Sequence, residues 1–517
     1  MESVAELCDL NPYRHSINRQ MEIFMTIPSE ILSVDEMYRA DQLATEQGVS
    51  GIQLMDTAGH AVADAIMSRW SVTPVCVLCG PGNNGGDGFV AARYLELAGW
   101  PVQVYLLEQI ESLSGDAGHH AQLWLNTTSS TLHEIDAVSV TPDSIVVDAL
   151  FGAGLTRPID EKLAALFDRI MQAGCPVVAV DLPSGIEGDS GEILGAALKA
   201  QVTITFFRKK YGHVLYPGAD HMGEVVVADI GIPETVLDDL KPQVMENTPQ
   251  IWRDLFPTPD NSGHKYSRGH VLVVGGEKMT GAARLAARAA RRMGAGLSSI
   301  ATVPSAFPIY AAGDPGTMVE PYADIPAFEQ LLADERKNAV LIGPGAGVTD
   351  ETRDLALRAL GAKKSVVLDA DGLSAFQSNP QVLFDAIQAP CVLTPHEGEF
   401  KKLFERDGDK IFSARAAALK SGAVVLLKGP DTVIASPDGR IIVNTNAVPD
   451  LATAGAGDVL AGIITALMAQ GMPAFESAAA GAWVHGAASA RIGAGLIAED
   501  LCECLPEILK QVRGLHD

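Results

Sequence analysis

The sequence lacks the features that mark secreted, disulfide-stabilised or membrane-spanning proteins. Seven cysteines are scattered over 517 residues, so no disulfide framework is expected and a reducing compartment is favoured. No basic segment followed by an apolar core stands near the first residue, so we expect no signal peptide. The most apolar region, residues 459–496, is interrupted by charged and polar residues, which indicates buried helices rather than a membrane span. These features predict a cytoplasmic protein.

Positive charge is also scarce, with 38 Lys and Arg residues against 64 Asp and Glu residues and a formal net charge of −26. Such a surface disfavours broad contact with the phosphates of nucleic acid, although a nucleotide held by backbone amides remains compatible with it. A chain of this length, with 47% hydrophobic residues, has ample material for roughly two to four soluble domains. We therefore expect neither nucleic acid nor a membrane as a partner.

Short apolar runs alternate with helical patterns and glycine turns along most of the chain. In the first half the runs cover residues 75–78, 102–107, 145–147, 177–180, 202–206 and 225–230. In the second half they cover residues 270–274, 340–342, 366–368, 391–393, 424–427 and 433–435. This alternation predicts an α/β fold with parallel sheets covered by helices, in which ligands bind at the carboxyl ends of the strands.

A segment rich in proline, acid and amide residues separates the two halves. This segment lacks a convincing sheet strand, so residues 236–259 are predicted to be a linker. The linker joins one predicted domain at residues 30–235 to a second, of different design, at residues 260–517. Residues 1–29 are predicted to form a disordered tail because they lack periodicity.

A glycine-rich segment follows the first strand of the N-terminal half and precedes a helical pattern. It consists of Asn83, Asn84, Gly85, Gly86, Asp87 and Gly88. Its glycines would let the backbone approach a ligand closely, and a helix N-terminus would favour a phosphate. The spacing differs from the usual dinucleotide-binding fingerprint, so a tight structural turn is the alternative interpretation.

Two further loops of this half follow strands and carry carboxylates at the strand ends. Asp148 precedes a loop with backbone donors and one cation, residues 152–158, and Asp181 precedes a loop that contains Ser184. Carboxylates at strand ends, beside small residues that admit a ligand, usually serve binding or proton transfer. Each aspartate by itself could instead form a turn.

In this order, the three motifs resemble the YjeF N-terminal domain, the NAD(P)H-hydrate epimerase family, over residues 30–235. The resemblance implies a Rossmann-like, three-layer αβα fold. It implies that Asp181 contacts the altered ring, where we expect it to act as acid or base. It implies a potassium ion bound by Asn84, Asp148 and Ser184, and oxygen ligands suit such a hard cation. The implied binding residues for the hydrated dinucleotide are Asn83, Asn84, Gly85, Gly86, Asp87, Gly152, Ala153, Gly154, Leu155, Thr156, Arg157, Pro158 and Asp181.

The C-terminal half contains a turn of small residues that leads into an apolar helical pattern, with the sequence Thr453-Ala454-Gly455-Ala456-Gly457-Asp458. Unpaired amides and the helix dipole would meet at this junction and form a site for a phosphate or an oxyanion. Asp458 lies at the mouth of that site, where a carboxylate could take the proton of a hydroxyl that attacks phosphorus. The alternative is that Asp458 only caps the helix.

Four other polar segments of this half follow predicted strands. Residues 343–347 form a glycine-rich loop, and residues 369–371 contain a pair of carboxylates. Residues 394–399 contain a histidine and acids, and residues 428–432 begin with a lysine before a turn. The lysine suits the phosphates or the ribose of a nucleotide. The alternative for the histidine, His396, is a packed and hydrogen-bonded position in the core.

These segments, with Thr280-Gly281-Ala282 after the first strand, resemble the ribokinase-like superfamily and its NAD(P)H-hydrate dehydratase branch. One departure from the common T-G-G-T-G-D pattern is alanine at 456 in place of threonine, which keeps the backbone donors but loses a hydroxyl. The resemblance implies a ribokinase-like α/β domain, ADP as co-substrate and magnesium near Glu399. It implies hydrate binding by Ala282, Gly345, Gly347, His396 and Asp458, and nucleotide binding by Lys428, Gly429, Pro430, Asp431, Thr432 and Gly457.

The leading interpretation is one polypeptide with two active sites that repair hydrated NADH and NADPH. The epimerase would interconvert the R and S hydrates, and the dehydratase would return the S hydrate to NAD(P)H with release of AMP and phosphate. Asp181 and Asp458 are the predicted catalytic residues, and a homo-oligomer is expected. The alternative is a small-molecule kinase of the vitamin type, with the N-terminal domain as a binding or scaffold domain.

Overall fold

The computed structural model describes residues 29–128 and 131–514, and the chain divides into two compact units between Pro242 and Gln243. Apart from Ser29, the predicted tail lies outside the described residues. Within the described ranges, no helix is long and apolar enough to cross a membrane. Each unit is built on a mainly parallel sheet flanked by helices, so the predicted α/β class is confirmed.

The strands of the N-terminal unit follow most of the predicted apolar runs. In chain order they are β1 (Ile31–Leu32), β2 (Val75–Cys79), β3 (Val102–Leu106), β4 (Leu132–Glu134), β5 (Ile145–Ala149), β6 (Val177–Val180), β7 (Val202–Phe206), β8 (Lys209–Lys210) and β9 (Glu224–Ala228). Seven of them form one sheet in the order β4-β3-β2-β5-β6-β7-β9, and all neighbours are parallel. The remaining two, β1 and β8, form a separate parallel pair.

The connection order of this sheet reverses between β2 and β5. From β2 the chain moves outward to β3 and β4, and it then returns to place β5 on the other side of β2. The loops after β2 and β5 therefore diverge and leave a crevice at the carboxyl ends of the strands, which is where open parallel sheets bind ligands. Asn84 follows β2, and Asp148 lies within the last two residues of β5.

Helices cover both faces of this sheet because its strands are apolar on both sides. Val77 of β2 belongs to one buried cluster and Leu78 to another, as the alternation of side chains along a strand requires. The helices are Val34–Glu46, Gly51–Arg69, Asn83–Leu97, Gly115–Thr127, Glu161–Ala173 and Val236–Leu240.

The C-terminal unit contains a ten-stranded sheet. Its strands are β10 (Val244–Glu246), β11 (His270–Val274), β12 (Leu297–Thr302), β13 (Met318–Pro321), β14 (Ala339–Ile342), β15 (Ser365–Leu368), β16 (Cys391–Leu393), β17 (Val424–Leu427), β18 (Thr432–Ala435) and β19 (Ile441–Asn444). Their order is β10-β19-β18-β17-β16-β15-β14-β11-β12-β13, and only the neighbours of β18 are antiparallel to it. The order reverses between β11 and β14, so this sheet also has a crevice at the carboxyl ends of its strands.

Small residues allow the helices of this unit to pack closely. The helix Thr280–Arg292 buries five alanines, and Gly462 on the helix Ala456–Ala469 lies against the backbone of Ala286. The other helices are Phe307–Ala311, Ile325–Leu332, Asp350–Gly361, Asp371–Ser374, Gln381–Ala386, Glu397–Leu403, Lys410–Ser421, Ala474–Ile492, Ala498–Val512 and Pro249–Trp252. This close packing fixes the helix that carries Asp458.

The segment predicted as a linker, residues 236–259, contains helices and a strand. The helix Val236–Leu240 belongs to the N-terminal unit, whereas β10 adds a parallel edge strand to the C-terminal sheet by pairing with β19. Trp252, which follows, is fully buried in the C-terminal core. A three-residue strand that pairs with a segment almost two hundred residues away leaves little local pattern, which is why the sequence did not indicate it.

Candidate active sites

A cavity of about 740 Å³ lies at the carboxyl ends of β2, β5 and β6 in the N-terminal unit. The three predicted motifs meet in its wall, although they are far apart in the sequence. The predicted residues that line it are Asn83, Asn84, Asp87, Gly152, Ala153, Gly154, Leu155, Thr156, Arg157 and Asp181. The wall thus contains most of the predicted epimerase site.

Three predicted binding residues do not line this cavity: Gly85, Gly86 and Pro158. The helix begins at Asn83, so the glycines form its first turn rather than a loop before it. A Cβ on Gly85 would overlap the carbonyl oxygen of Gly80, and a Cβ on Gly86 would lie 2.5 Å from Met55 Sδ. These two glycines let the helix pack against its neighbours, and the side chains beside them, not the glycines, face the cavity.

Asp181 is held in place by three hydrogen-bond donors. Its Oδ1 accepts from Lys210 Nζ at 2.8 Å and from the Thr205 hydroxyl at 3.0 Å, and its Oδ2 accepts from the Ala153 amide at 2.9 Å. Burial raises the pKa of Asp181, but the Lys210 charge and these hydrogen bonds outweigh it and lower the pKa to about 2. Its backbone φ of +64° is unusual outside glycine and marks a constrained position. Asp181 is therefore a fixed carboxylate at neutral pH.

Of the residues predicted to bind potassium, Asp148 and Ser184 bond to each other, and Asn84 faces Asp181. Asp148 is fully buried and accepts from the Ser184 amide at 2.7 Å and from the Ser184 hydroxyl at 2.6 Å. Burial raises its pKa to about 6, although the Ser184 hydrogen bonds oppose the rise. A Cβ on Gly152 would lie 3.0 Å from Asn84 Oδ1 and 2.9 Å from Asp181 Oδ2, so Asn84 faces the same spot.

This donor set fits a monovalent cation. Within the described part of the chain, no cationic side chain pairs with the buried Asp148. A bound cation would supply the missing positive charge to the carboxylate. All the available ligands are oxygens, as a hard cation prefers.

The sequence prediction missed one wall of the cavity. The helix Val34–Glu46 packs an apolar face on the core, and four polar residues at helical spacing line the cavity: Tyr38, Asp41, Gln42 and Thr45. A second, polar stripe at i, i+3, i+4 and i+7 was the signal that could have revealed them. Lys210 was also missed, because nothing local indicates that β8 points a lysine at Asp181.

In the C-terminal unit, polar groups meet at the carboxyl ends of β15, β16 and β17. Lys428 Nζ lies 2.7 Å from Asp369 Oδ1 and 3.9 Å from Glu399 Oε2, and the Thr394 hydroxyl donates to Asp369 at 2.8 Å. Burial lowers the pKa of Lys428, but the adjacent carboxylates of Asp369 and Glu399 outweigh it and raise the pKa. Lys428 is therefore a stable cation at the predicted phosphate site.

The predicted anion site lies against this cluster. The helix Ala456–Ala469 begins after Gly455, whose φ of +87° is left-handed, and the amides of its first turn have no acceptor within the helix. A Cβ on Gly457 would lie 3.7 Å from Lys428 Nζ and 3.9 Å from Asp369 Oδ2. Helix amides and one lysine thus surround the same point, which suits a phosphoryl group.

Asp458 occupies the first turn of the same helix. Burial and the carboxylate of Asp369 raise its pKa to about 6, while Lys428 opposes the rise. A carboxyl group with such a pKa is largely ionised at neutral pH and can accept a proton near that pH. No side chain hydrogen bond from Asp458 caps the helix among the described residues, so simple capping does not explain it.

His396 and Glu399 form the N-terminal cap of the helix Glu397–Leu403. His396 Nδ1 accepts from the Gly398 amide at 2.9 Å, and Glu399 Oε2 accepts from the His396 amide at 2.9 Å. The side chain of His396 is 59% exposed, so the packed core alternative is wrong. Glu399 offers oxygen to magnesium, but its contacts with His396 and Lys428 favour a metal held through water and phosphate oxygens.

The predicted hydrate-binding loops lie together at the crevice of this sheet. A Cβ on Gly345 would lie 3.3 Å from the Cβ of Ala282, and the Gly347 amide donates to Asp371 Oδ2 at 2.8 Å. The loop after β11 also lies against the loop after β14, because a Cβ on Gly276 would overlap the Gly345 carbonyl. Ala282, Gly345 and Gly347 are thus brought to one place.

The predicted nucleotide loop after β17 is divided between two roles. Lys428 faces the phosphate site, and Gly429 and Pro430 lie at the surface. The side chain of Asp431 instead forms a buried ion pair with Lys410, and the Thr432 hydroxyl donates to the Gly429 carbonyl at 2.8 Å. The side chains of Asp431 and Thr432 therefore stabilise the loop rather than face a ligand.

Two protein families match this chain in separate segments. The YjeF-related protein N-terminus family matches residues 51–212, and a family described as NAD(P)H-hydrate dehydratase matches residues 271–509. The first match spans β2 to β8, and the second spans all but the first residue of β11 and continues through β19, so each covers most of the sheet of one unit.

Relatives of similar length align with nearly the whole chain. A Salinibacter ruber protein called bifunctional NAD(P)H-hydrate repair enzyme Nnr is 37% identical over 94% of this chain and 97% of its own. A protein of the same name from Thermofilum pendens is 35% identical over the same shares of the two chains. Among solved structures, the ADP/ATP-dependent NAD(P)H-hydrate dehydratase of Bacillus subtilis, co-crystallised with ATP and Mg²⁺, is 28% identical. It covers 52% of this chain and 98% of its own with a TM-score of 0.46.

Proposed function

This chain belongs to the family of bifunctional NAD(P)H-hydrate repair enzymes, and on that premise we propose an assignment of its two sites. The N-terminal cavity interconverts the R and S hydrates of NADH and NADPH. The C-terminal site dehydrates the S hydrate to NAD(P)H at the expense of ADP, with release of AMP and phosphate. The observation that carries this assignment is the alignment of both units, in order, with relatives named for this dual activity.

In the dehydratase site, we assign the base to Asp458. Its carboxylate takes the proton of the ring hydroxyl as the hydroxyl oxygen attacks the terminal phosphorus of ADP, and AMP leaves. The helix amides near Gly457 and the Lys428 ammonium stabilise the charge of the transferring group. Loss of phosphate and a ring proton then restores the double bond, because phosphate is a much better leaving group than hydroxide.

In the epimerase site, the hydrate lies against Asp181 and the loop of residues 152–157. The hydrate carries its hydroxyl on the carbon beside the ring nitrogen, so it inverts either through loss of the hydroxyl or through ring opening. Asp181 was predicted as the acid or base, and its lowered pKa favours the narrower role of a fixed anion beside the ring.

Two cations belong to this proposal. Asn84, Asp148 and Ser184 would hold potassium, which would neutralise a buried carboxylate and fix the loop beside the substrate. Glu399 would help to hold magnesium, which would neutralise phosphate charge. A cytoplasmic location and a homo-oligomer remain predictions from the sequence.

The alternative of a vitamin-type kinase finds no support in the names of the Salinibacter ruber and Thermofilum pendens relatives, both of which describe hydrate repair. It would require a stable phosphorylated product, whereas repair regenerates a reduced nicotinamide. That difference in product separates the two functions directly.

The decisive experiment mixes the purified protein with an epimeric mixture of NADH hydrate, magnesium, potassium and either ADP or ATP. Recovery of nicotinamide absorbance should be complete with the parent chain. Recovery beyond the S-epimer fraction should be slow in Asp181→Asn, and recovery should be absent in Asp458→Asn. The exposed variants Asp64→Asn and Asp385→Asn should match the parent. No recovery with either nucleotide would contradict the assignment and favour the kinase.

A further inference from the structure

One face of the helix Val34–Glu46 carries polar side chains that line the N-terminal cavity. Its buried apolar residues pack on the core, while Tyr38, Asp41, Gln42 and Thr45 line the cavity. Tyr38 and Asp41 are one turn apart and adjacent on the helix surface. A Cβ on Gly154 would meet the Tyr38 hydroxyl, so this face closes against the predicted binding loop. No residue of this helix has a role in the function proposed above.

Epimerisation requires a group that gives up and regains a proton near neutral pH, and Asp181 is poorly suited to that task. Lys210, Thr205 and the Ala153 amide all donate to its carboxylate. The ammonium of Lys210 is itself only 2% exposed and would lose its partner if Asp181 were protonated. Asp181 therefore stays ionised throughout the reaction.

Asp41 has the opposite environment. Within the described residues, no hydrogen bond or ion pair engages its carboxyl group, which leaves both oxygens available to a ligand in the cavity. The charged groups that face it are Lys210, Asp181 and Asp87, and Asp116 and Arg157 line the same cavity. Burial raises the pKa of Asp41 to about 6, with Lys210 opposing the rise and Asp181 adding to it.

We propose that Asp41 is a catalytic residue of the epimerase, which exchanges a proton with the ring hydroxyl while Asp181 remains a fixed anion. This inference rests on the epimerase function proposed above. It selects loss of the hydroxyl as the route of inversion, because a permanent carboxylate beside the ring stabilises a cationic intermediate.

The reaction balances in atoms and electrons. A protonated carboxyl group gives its proton to the hydroxyl oxygen, the C–O bond breaks, and its electron pair leaves with the oxygen as water. The lone pair of the ring nitrogen forms a C=N bond, and the resulting positive charge lies beside Asp181. A water molecule then adds to the same carbon from the other face, the C=N electrons return to nitrogen, and a carboxylate takes the proton. From the R hydrate, Asp87, on the helix Asn83–Leu97, gives the first proton, and Asp41 takes the second, so Asp41 must start as a carboxylate.

The test uses the full chain with the R hydrate alone in water enriched in ¹⁸O and without nucleotide, so that the dehydratase is idle. Chromatography separates the epimers and mass spectrometry counts the label. The parent should place one ¹⁸O in the ring hydroxyl for each inversion. Asp41→Asn should lower the epimerisation rate by about 10²- to 10⁴-fold, the usual contribution of a positioned acid or base.

Further measurements separate a catalytic role of Asp41 from a structural one. Asp41→Asn should melt no lower than the parent, since it removes a carboxylate that burial disfavours, and it should keep the ADP-dependent dehydration of the S hydrate. Asp41→Glu should restore part of the epimerisation rate. Glu46→Gln, on the exposed face of the same helix, should behave as the parent. The parent's kcat/KM should fall as the pH drops through about 6, and Asp41→Asn should lose this dependence, whereas Asp181→Asn should keep it at a lower rate.

Each failure has a distinct meaning. A parent that does not interconvert the epimers contradicts the epimerase function itself. A parent that inverts without taking up ¹⁸O uses ring opening, and the role of Asp41 is then overturned. Near-parent epimerisation in Asp41→Asn overturns it as well. If Asp41→Asn does not fold, the ¹⁸O count in the parent and the pH profile of Asp41→Glu decide the question.

Discussion

At the scale of single residues, the buried pair of Lys210 and Asp181 links the stability of the N-terminal unit to its chemistry. Replacement of Lys210 by Met should raise the pKa of Asp181 and lower the free energy of unfolding by about 3–5 kcal/mol, because it leaves a largely buried charge without its partner. The double variant Lys210→Met/Asp181→Asn should lose less than the sum of the two single variants. Urea unfolding of the four proteins measures this coupling, and strictly additive losses would contradict it.

The same pair predicts how stability depends on pH. The folded state holds the pKa of Asp181 at about 2, below its ordinary value of 3.8. The stabilisation should therefore be complete above pH 4 and should disappear as the pH falls towards 2. Unfolding midpoints of the parent and of Asp181→Asn should converge in that acidic range.

Asp458 has the opposite effect on the pH dependence of stability, because its pKa in the folded state is raised from 3.8 to about 6. The ionised carboxylate therefore weakens the folded state above pH 6, and the penalty is relieved as the pH falls below that value. Asp458→Asn should abolish dehydration yet raise the free energy of unfolding at pH 7 by about 1–3 kcal/mol. Thermal unfolding at pH 7 and pH 4.5 tests this, with exposed Asp385→Asn as the control. Equal gains at both pH values would contradict it.

At the scale of elements, the first turn of the helix Asn83–Leu97 sets the position of Asn84 and Asp87 in the cavity. Gly85→Ala should force the helix away from the Gly80 carbonyl, cost about 1–3 kcal/mol and weaken epimerisation. Gly82→Ala is the matched control for stability, since its Cβ would meet no protein atom within 4 Å, although Gly82 lines the same cavity. Melting temperature and epimerase rate are the measurements. Equal effects of the two substitutions would show that packing does not set the helix start.

The elements also show where local sequence is informative. Most of the longer sheet strands were predicted, because buried parallel strands are apolar runs bounded by turns. The start of the helix at Asn83 was not, because three glycines in six residues disfavour a helix unless tertiary packing holds it. The edge strand β10 was missed because its pairing with β19 is a long-range contact.

At the scale of the whole molecule, the boundary between the units can be tested by truncation. A polypeptide of residues 243–517 keeps β10, Trp252 and Phe256, whereas residues 260–517 lose all three. The Asn247 side chain donates to Asn444 at 2.8 Å and to the Ala479 carbonyl at 2.7 Å, so the longer piece also retains buried hydrogen bonds. The shorter piece should melt at least several degrees lower, since loss of one buried tryptophan alone costs about 3–5 kcal/mol. Equal melting temperatures would instead support a linker up to residue 259.

By itself, the sequence determined the α/β class and predicted two sites, and most of the residues predicted to bind substrate in the N-terminal unit line one cavity. It could do so because strand ends are visible as apolar runs, and the motifs that follow them carry their chemistry in the identity of each residue. Only the tertiary structure decided which carboxylates are ionised. Asp181 meets Lys210, which lies 29 positions further along the chain, and Asp41 reaches the cavity from a helix with no motif. A pKa depends on burial and on neighbouring charges, and long-range folding, rather than local pattern, places both.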